Sequence, residues 1–559
     1  MASLDRFLSL HSCTNKPTVS SSVLVASSLG HSRALRSSER KHGGEAEAGG
    51  RRRPAAAAVA AALPRRVRAL MRTMMPCRLS CFLLVVAAAS GSAGSGQGRV
   101  VTTLPGFEGR LPFHLETGYV EVDEDAGAEL FYYFVQSESE SAGDAPLLLW
   151  LTGGQRCSAL SGLAYEIGPI RFVVEPYDGT LPRLRYDSRN SWTKVAHILF
   201  VDSPVGAGFS FSKDPKGYYV GDISSSMQLH KFLNKWFNEH PDYLANPFYI
   251  GGESYAGKTV PFLAQMISEG VEAGMKSEPN LKGYLVGNPS TEERIDFGSR
   301  VPHAHGFGII SHQLYETISG HCQGEDYSNP ANELCGQALN TFNDLISQVQ
   351  KAHVLLDQCV VASSPPVPNG DYIRMDDGGS ASDDGSRKMK ILREESRVRK
   401  LFHPPARTPF SCFSYSYSLS YFWANDRRTR DALGIKEGTV DEWVRCDDEA
   451  ELPYERDLKS VVKYHWNLTS RGYRALVFSG DHDLMVPHLG TQAWVRSLNF
   501  PIVDDWRAWH LGGQSAGFTI SYSNNMTFAT IKGGGHTAPE YEPERCFAMF
   551  SRWVLNRPL

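Results

Sequence analysis

The sequence predicts an α/β protein built on a mostly parallel central sheet flanked by helices, and three segments carry that prediction. Pro247-Phe248-Tyr249-Ile250 reads as a strand, runs into Gly251-Gly252-Glu253-Ser254-Tyr255-Ala256-Gly257, and leads to an apolar helical pattern from Thr259 to Ile267. Ala475 to Phe478 is a second strand, ending in Ser479-Gly480-Asp481-His482-Asp483. Phe528 to Ile531 is a third, ending in Lys532-Gly533-Gly534-Gly535-His536. Each places polar side chains just past the carboxyl end of a strand, where an open α/β sheet holds its ligands.

The other elements follow in chain order. Leu111 to Val135 contains alternating strands, with Gly118-Tyr119-Val120-Glu121-Val122 leading. Ala145 to Leu151 and His197 to Asp202 are continuous apolar runs of the kind buried on both faces in parallel sheets. Ile223 to Glu239 reads as a helix with Phe232, Leu233, Trp236 and Phe237 on one side. From about 300 to 447 the pattern turns irregular and helical and holds most of the cysteines, as expected of a cap inserted over the active site. Within it, 363–407 is rich in Ser, Pro, Gly, Asp and Arg without an apolar period, which predicts an exposed flexible loop. After Val461 the sheet resumes, so 97–559 reads as one fold unit.

The segment upstream is different. Residues 1–74 are rich in Ser, Arg and Ala and lack the pattern of a folded unit, as in a disordered leader or sequence ahead of the true start. Residues 75–96 run from basic to apolar to small side chains, the order of a secretory signal peptide. A start at Met71, Met74 or Met75 would make that peptide N-terminal. An extracellular or vacuolar destination follows, with a plastid transit peptide at residue 1 as the alternative.

Composition limits the function classes. The chain has 559 residues, 42% hydrophobic and 11% aromatic, enough for a full α/β core. A net charge of −4 gives no ground for nucleic-acid or membrane steering. The histidines form no spaced ligand cluster, so neither a metal nor a cofactor is expected.

A serine on a sharp strand-to-helix turn is the nucleophile elbow of an α/β-hydrolase, whose partners follow in the order Ser, Asp, His. Taken singly, Ser254, the acids after Gly480 and the histidine after Gly535 all have ordinary readings as turn or hydrogen-bonding residues. Their joint order, each past a strand, favours catalysis.

Trp150-Leu151-Thr152-Gly153-Gly154, Gly252 to Gly257, Gly480-Asp481-His482-Asp483 and Gly535-His536-Thr537-Ala538-Pro539 together resemble the serine carboxypeptidases. Leu281 to Pro289 and Ala304 to Ile310 are similar to the plant serine carboxypeptidase-like group, which includes peptidases and acyltransferases. The resemblance spans about Leu104 to Leu559. It implies Ser254 as nucleophile, His536 as general base and Asp483 as the acid, with Asp481 a turn residue. It assigns the oxyanion hole to the Gly154 and Tyr255 backbone N–H groups. It gives Glu166 and Glu253, with Trp150, Thr152 and Gly153, the binding of a substrate's terminal carboxylate. An acid that binds an acid needs a proton between them, so peptidase activity is expected to fall from acid toward neutral pH.

Resemblance also pairs Cys157 with Cys446, Cys322 with Cys335 and Cys359 with Cys412, leaving Cys546 a buried free thiol. The sequons at Asn467 and Asn525 fit secretory glycosylation. The implied activity is release of C-terminal amino acids from peptides at acid pH. The alternative is transfer of an acyl group from a glucose ester to an alcohol, toward which Thr152 points while Glu253 points to a peptidase. A second alternative is an inactive homologue. Where the family has Pro-Gly after the two glycines, this chain has Gln155-Arg156. That departure raises two expectations: a bulky side chain at positive φ, and intrusion of Arg156 on the acyl pocket.

Overall fold

Twelve strands form one sheet among the described residues of the computed structural model, which are 98–139, 142–359, 410–447 and 452–559. Across the sheet the order is β1 (Arg99–Val101), β2 (Leu115–Asp123), β3 (Ala128–Val135), β5 (His197–Val201), β4 (Leu147–Leu151) and β6 (Phe248–Glu253). It continues with β7 (Leu281–Gly287), β8 (Arg474–Gly480), β11 (Met526–Ile531), β10 (Gln514–Tyr522) and β9 (Ile502–Leu511). A two-residue strand, Phe211–Ser212, pairs with β3. From β5 to β11 every neighbouring pair is parallel, and the pairs outside that stretch are antiparallel.

The apolar runs explain the middle of the sheet. Every residue of β4 and β5 is buried, because helices cover both faces. The alternation expected over Leu111 to Val135 changes phase within β2, where Leu115 and Thr117 and then Val120 and Val122 are buried, and fails in β3, where all eight residues are buried. Tyr132 and Phe134 of β3 meet Phe232 and Trp236 on one side, while Phe131 meets Phe209 on the other.

Successive side chains of the strands feed two layers. Leu149, Ile250, Val286 and Val477 face helices α1 (Asp222–Glu239) and α2 (Ala256–Glu272), which contribute Leu229, Phe232, Leu233, Trp236, Val260, Leu263 and Ile267. Trp150, Leu285, Phe478 and Ala529 face the opposite way, toward Met549, Phe550 and Trp553 of the C-terminal helix Pro543–Val554. α2 begins three residues before the predicted Thr259, so the residue after Ser254 already lies at a helix N-terminus.

Between β7 and β8 the chain inserts α3 (Glu293–Gly306), α4 (His312–His321), α5 (Glu333–Ile346), α6 (Tyr415–Asn425) and α7 (Arg427–Leu433). Polar N-caps start three of them: Ser311 accepts from Leu314 N, Asn332 from Leu334 N and Cys335 N, and Asp426 from Arg428 N. Each such cap is worth about 1 kcal/mol. Val301, Ile318, Leu339 and Phe342 form a separate core here, closed by Leu484. The cysteines pair as Cys157–Cys446, Cys322–Cys335 and Cys359–Cys412, and Cys546 is free and buried. The predicted leader, signal peptide and loop 363–407 lie outside the described residues. No helix among the described residues is long and apolar enough to cross a membrane.

Candidate active site

The sheet reverses its order of connection at β4: the chain leaves β4 for β5 on one side, then returns to β6 on the other. A crevice opens beyond the carboxyl ends of β4 and β6, and both carry polar turns there. On the β6 turn Ser254 adopts φ of 56°, a left-handed conformation that costs a residue with a Cβ about 1–3 kcal/mol. It is held by three main-chain bonds of 2.9 Å: Ser254 N donates to Gly287 O, and Ser254 O accepts from Gly257 N and Ser290 N. On the β4 turn a Cβ at Gly153 would lie 2.5 Å from Ser254 Cβ, so only glycine lets the two turns approach this closely. Gly154 has φ of 82°.

The turns after β8 and β11 bring in the partners. His536 Nε2 lies 2.6 Å from Ser254 Oγ, and His536 Nδ1 lies 2.8 Å from Asp483 Oδ2. With Nδ1–H donating to the carboxylate, Nε2 is left to accept the serine hydroxyl. Asp483 is wholly buried, and its oxygens also accept from Met485 N at 2.7 Å, Val486 N at 3.1 Å and Asn288 Nδ2 at 2.9 Å. His536 N donates to Ala352 O at 2.7 Å, so a segment of the insertion fixes the imidazole's backbone.

Asp481 points elsewhere. It accepts from Gly533 N at 2.8 Å and lies 2.5 Å from His482 Nδ1, thereby tying the β8 turn to the β11 turn. Asn288, within the Leu281 to Pro289 run, orients the aspartate. It is buried at φ of 38°, its amide donates to Asp483, and its Oδ1 accepts from Gly480 N at 2.9 Å. An asparagine directly after a strand, before proline, was the signal: it is the residue type that tolerates the left-handed region.

The Gly154 and Tyr255 N–H groups donate to no main-chain carbonyl among the described residues, and Tyr255 sits at the N-terminal end of α2. Neither Gln155 nor Arg156 is among the residues with positive φ, so the first expectation for this turn is not met. The second fails as well. Arg156 is buried, and its Nη2 donates to Tyr218 O at 2.7 Å and Pro453 O at 3.1 Å. Gln155 lines a small cleft together with Thr152, Gly154, Ser203, Tyr255 and Tyr454.

Beside the triad lies a group of buried carboxyls. Glu166, on the short π-helical turn Gly162–Glu166, accepts from Trp150 Nε1 at 2.7 Å. Burial pushes its pKa up to about 7, against the lowering effect of the Trp150 bond. Glu253 is wholly buried and raised well above the usual carboxylate range, first by burial and then by the neighbouring Glu166 and Glu540. Neither Glu253 oxygen has a hydrogen-bond partner among the described residues, so no hydrogen bond joins it to Glu166. A carboxyl in that position is stable only as the neutral acid. The Thr152 hydroxyl likewise has no partner there.

Sequence reasoning missed Glu540, four residues beyond His536. It accepts from Tyr417 Oη at 2.8 Å and Thr537 Oγ1 at 2.9 Å, and burial raises its pKa. Tyr417 belongs to α6, so this bond ties the insertion to the rim of the site. Of the sequon residues, Asn525 is exposed in the β10–β11 turn and Asn467 is half-buried in the helix Val462–Ser470.

A parallel sheet with a strained serine at its switch point, hydrogen-bonded through histidine to a buried aspartate, defines an α/β-hydrolase. The family profile for serine carboxypeptidase matches residues 105–556. Serine carboxypeptidase-like 19 of Arabidopsis thaliana is 45% identical over 462 residues, covering 82% of this chain and 95% of that protein. Serine carboxypeptidase-like 7 of the same plant is 43% identical over 462 residues, covering 82% and 94%. Among solved structures, the prohormone-processing carboxypeptidase Kex1 of Saccharomyces cerevisiae superposes with a TM-score of 0.60 at 18% identity, over 79% of this chain and 91% of that one. The chain belongs to the serine carboxypeptidase family.

Proposed function

We propose that the protein is a serine carboxypeptidase-like hydrolase acting through an acyl-enzyme. The continuous hydrogen-bond chain Ser254–His536–Asp483 carries this reading. Ser254 Oγ attacks the acyl carbonyl as His536 Nε2 takes its proton. The oxyanion faces the Gly154 and Tyr255 N–H groups, where loss of one donor costs about 3 kcal/mol of transition-state stabilisation. The imidazolium returns the proton to the leaving amine, and water, activated by the same histidine, releases the acid.

The neutral carboxyls favour a peptide's terminal carboxylate as the group recognised. A protonated Glu166 or Glu253 donates a hydrogen bond to it, and the Trp150 indole orients Glu166. Glu166 loses its proton as pH passes about 7, so kcat/KM for peptides is expected to fall through that range as KM rises. A profile flat from about pH 4 to pH 8 would remove Glu166 from this role.

The partnerless Thr152 hydroxyl favours a second reading, in which an alcohol accepts the acyl group from a glucose ester. Incubation with a blocked dipeptide, and separately with an acyl-glucose plus alcohols, separates the two: free amino acid marks the peptidase, a new ester the transferase. An inactive homologue would yield neither product. The disulfides and sequons favour passage through the secretory pathway, to the vacuole or cell exterior. On this reading 97–559 is the mature catalytic unit.

A further inference from the structure

We infer that Arg156 is a positioning residue, clamping the turn that carries the Gly154 N–H to the same strap of chain that holds Tyr255. The inference rests on the acyl-enzyme reading, because it concerns how the two oxyanion donors are held relative to each other.

Four attachments fix residues 153–159. The Cys157–Cys446 disulfide crosses to the far end of the insertion. Beside it Ser158 N donates to Arg445 O at 2.7 Å and Asp447 N to Arg156 O at 3.2 Å. Asp202 Oδ1 accepts from Ser158 Oγ at 2.8 Å and Ala159 N at 2.7 Å. The fourth is the Arg156 guanidinium, which donates to Tyr218 O and Pro453 O. Those carbonyls belong to two segments that run together, since Val220–Gly221 pairs in parallel with Tyr454–Glu455.

The strap also holds the other donor. Tyr454 Oη and Tyr255 Oη both donate to Asp222 Oδ1, at 2.9 and 2.7 Å, and Leu458 N donates to Asp222 Oδ2 at 2.8 Å. Lys258, one turn into α2, donates to Leu458 O at 2.6 Å. The Gly154 turn and the Tyr255 turn are therefore referenced to one segment, 453–458. Arg156 touches no reacting atom; it acts through the turn. Its removal takes the guanidinium donor from the Tyr218 and Pro453 carbonyls and leaves the turn with one attachment fewer.

The test uses the full chain, parent and the variants Arg156→Gly and Arg156→Lys, with three readouts: the rate of fluorophosphonate reaction at Ser254, kcat and KM on the active substrate, and amide exchange by mass spectrometry. Arg156→Gly should slow the fluorophosphonate reaction and kcat together by about tenfold, with KM within about twofold, a loss smaller than removal of a donor. Peptides covering 152–158 should exchange faster while those covering Asp483 and His536 do not. Arg156→Lys, which keeps charge but loses the fork, should fall between. Rates at or above the parent's, or faster exchange spread evenly over the chain, would overturn the inference. If the glycine variant fails to fold, parent-like rates and exchange in the lysine variant overturn it equally. A parent that never reacts with fluorophosphonate fails the acyl-enzyme reading instead, and the exchange comparison then decides the clamp alone.

Discussion

Ser254, Asp483 and His536 were legible in the sequence because each stands on a local signal, a strand followed by a turn rich in small residues. Asn288 was not, because what matters about it is its contact with Asp483, 195 positions away. The same holds for Glu540, whose partner Tyr417 lies 123 positions away in the insertion. Asn288 supplies one of the bonds that aim the Asp483 carboxylate, so Asn288→Ala should lower kcat by about tenfold or more with little change in KM. Asn288→Asp should be worse than alanine, since it sets a second carboxylate beside the first where charge is poorly solvated. Steady-state kinetics on the three proteins would check the order; a better aspartate variant than alanine variant would contradict it. Gln155 and Arg156 form their turn without the Pro-Gly of the family. The chain instead keeps both residues out of the left-handed region and buries the arginine against main-chain carbonyls.

At the level of elements, the two turns at the switch point meet so closely that Gly153 has no room for a methyl group: its Cβ would also lie 2.8 Å from Glu253 O. Gly153→Ala is therefore expected to push the β4 and β6 turns apart, cutting activity at least about a hundredfold while the distant core stays intact. Near-UV circular dichroism like the parent's together with that loss would support the account; full activity would not fit it. The β-structure was only partly legible. Continuous apolar runs revealed β4 and β5, but β3 broke the expected alternation because aromatic side chains cover it on both faces. The hairpin of β9 and β10 carries no clear period in the sequence, since its outer strand is largely exposed and mixes Asp504, Asp505 and Arg507 with apolar residues. Tyr417 of α6 reaches Glu540 across the rim, and Tyr417→Phe should loosen the insertion at a cost of about 1–2 kcal/mol, measured by urea unfolding.

Over the whole molecule, several buried carboxyls set how stability depends on pH. Burial raises Glu166, Asp202 and Asp296 each to about 7, well above the value such groups have in an unfolded chain. Burial lowers His303, His465 and His488, which works the other way, but these are fewer than the raised carboxyls, which also include Glu253 and Glu540. The carboxyls therefore hold protons more tightly in the folded protein than in the unfolded one. Their contribution is fully present below the unfolded pKa of about 4 and is lost as pH rises through about 7. Melting temperature should be higher near pH 5 than near pH 8, and calorimetry showing the reverse would contradict this assignment. An acid optimum of stability would match the acid preference expected of the peptidase reading. The sheet itself performs the largest act of assembly, joining Ser254 to a histidine 282 positions away.

Activation of Ser254 by His536 would leave a covalent signature. Fluorophosphonate treatment of the full chain, followed by peptide mapping, should give a single adduct on Ser254, absent from Ser254→Ala and greatly slowed in His536→Ala. A folded parent that forms no adduct, or a His536→Ala variant that forms it at the parent's rate, would show that His536 does not activate Ser254.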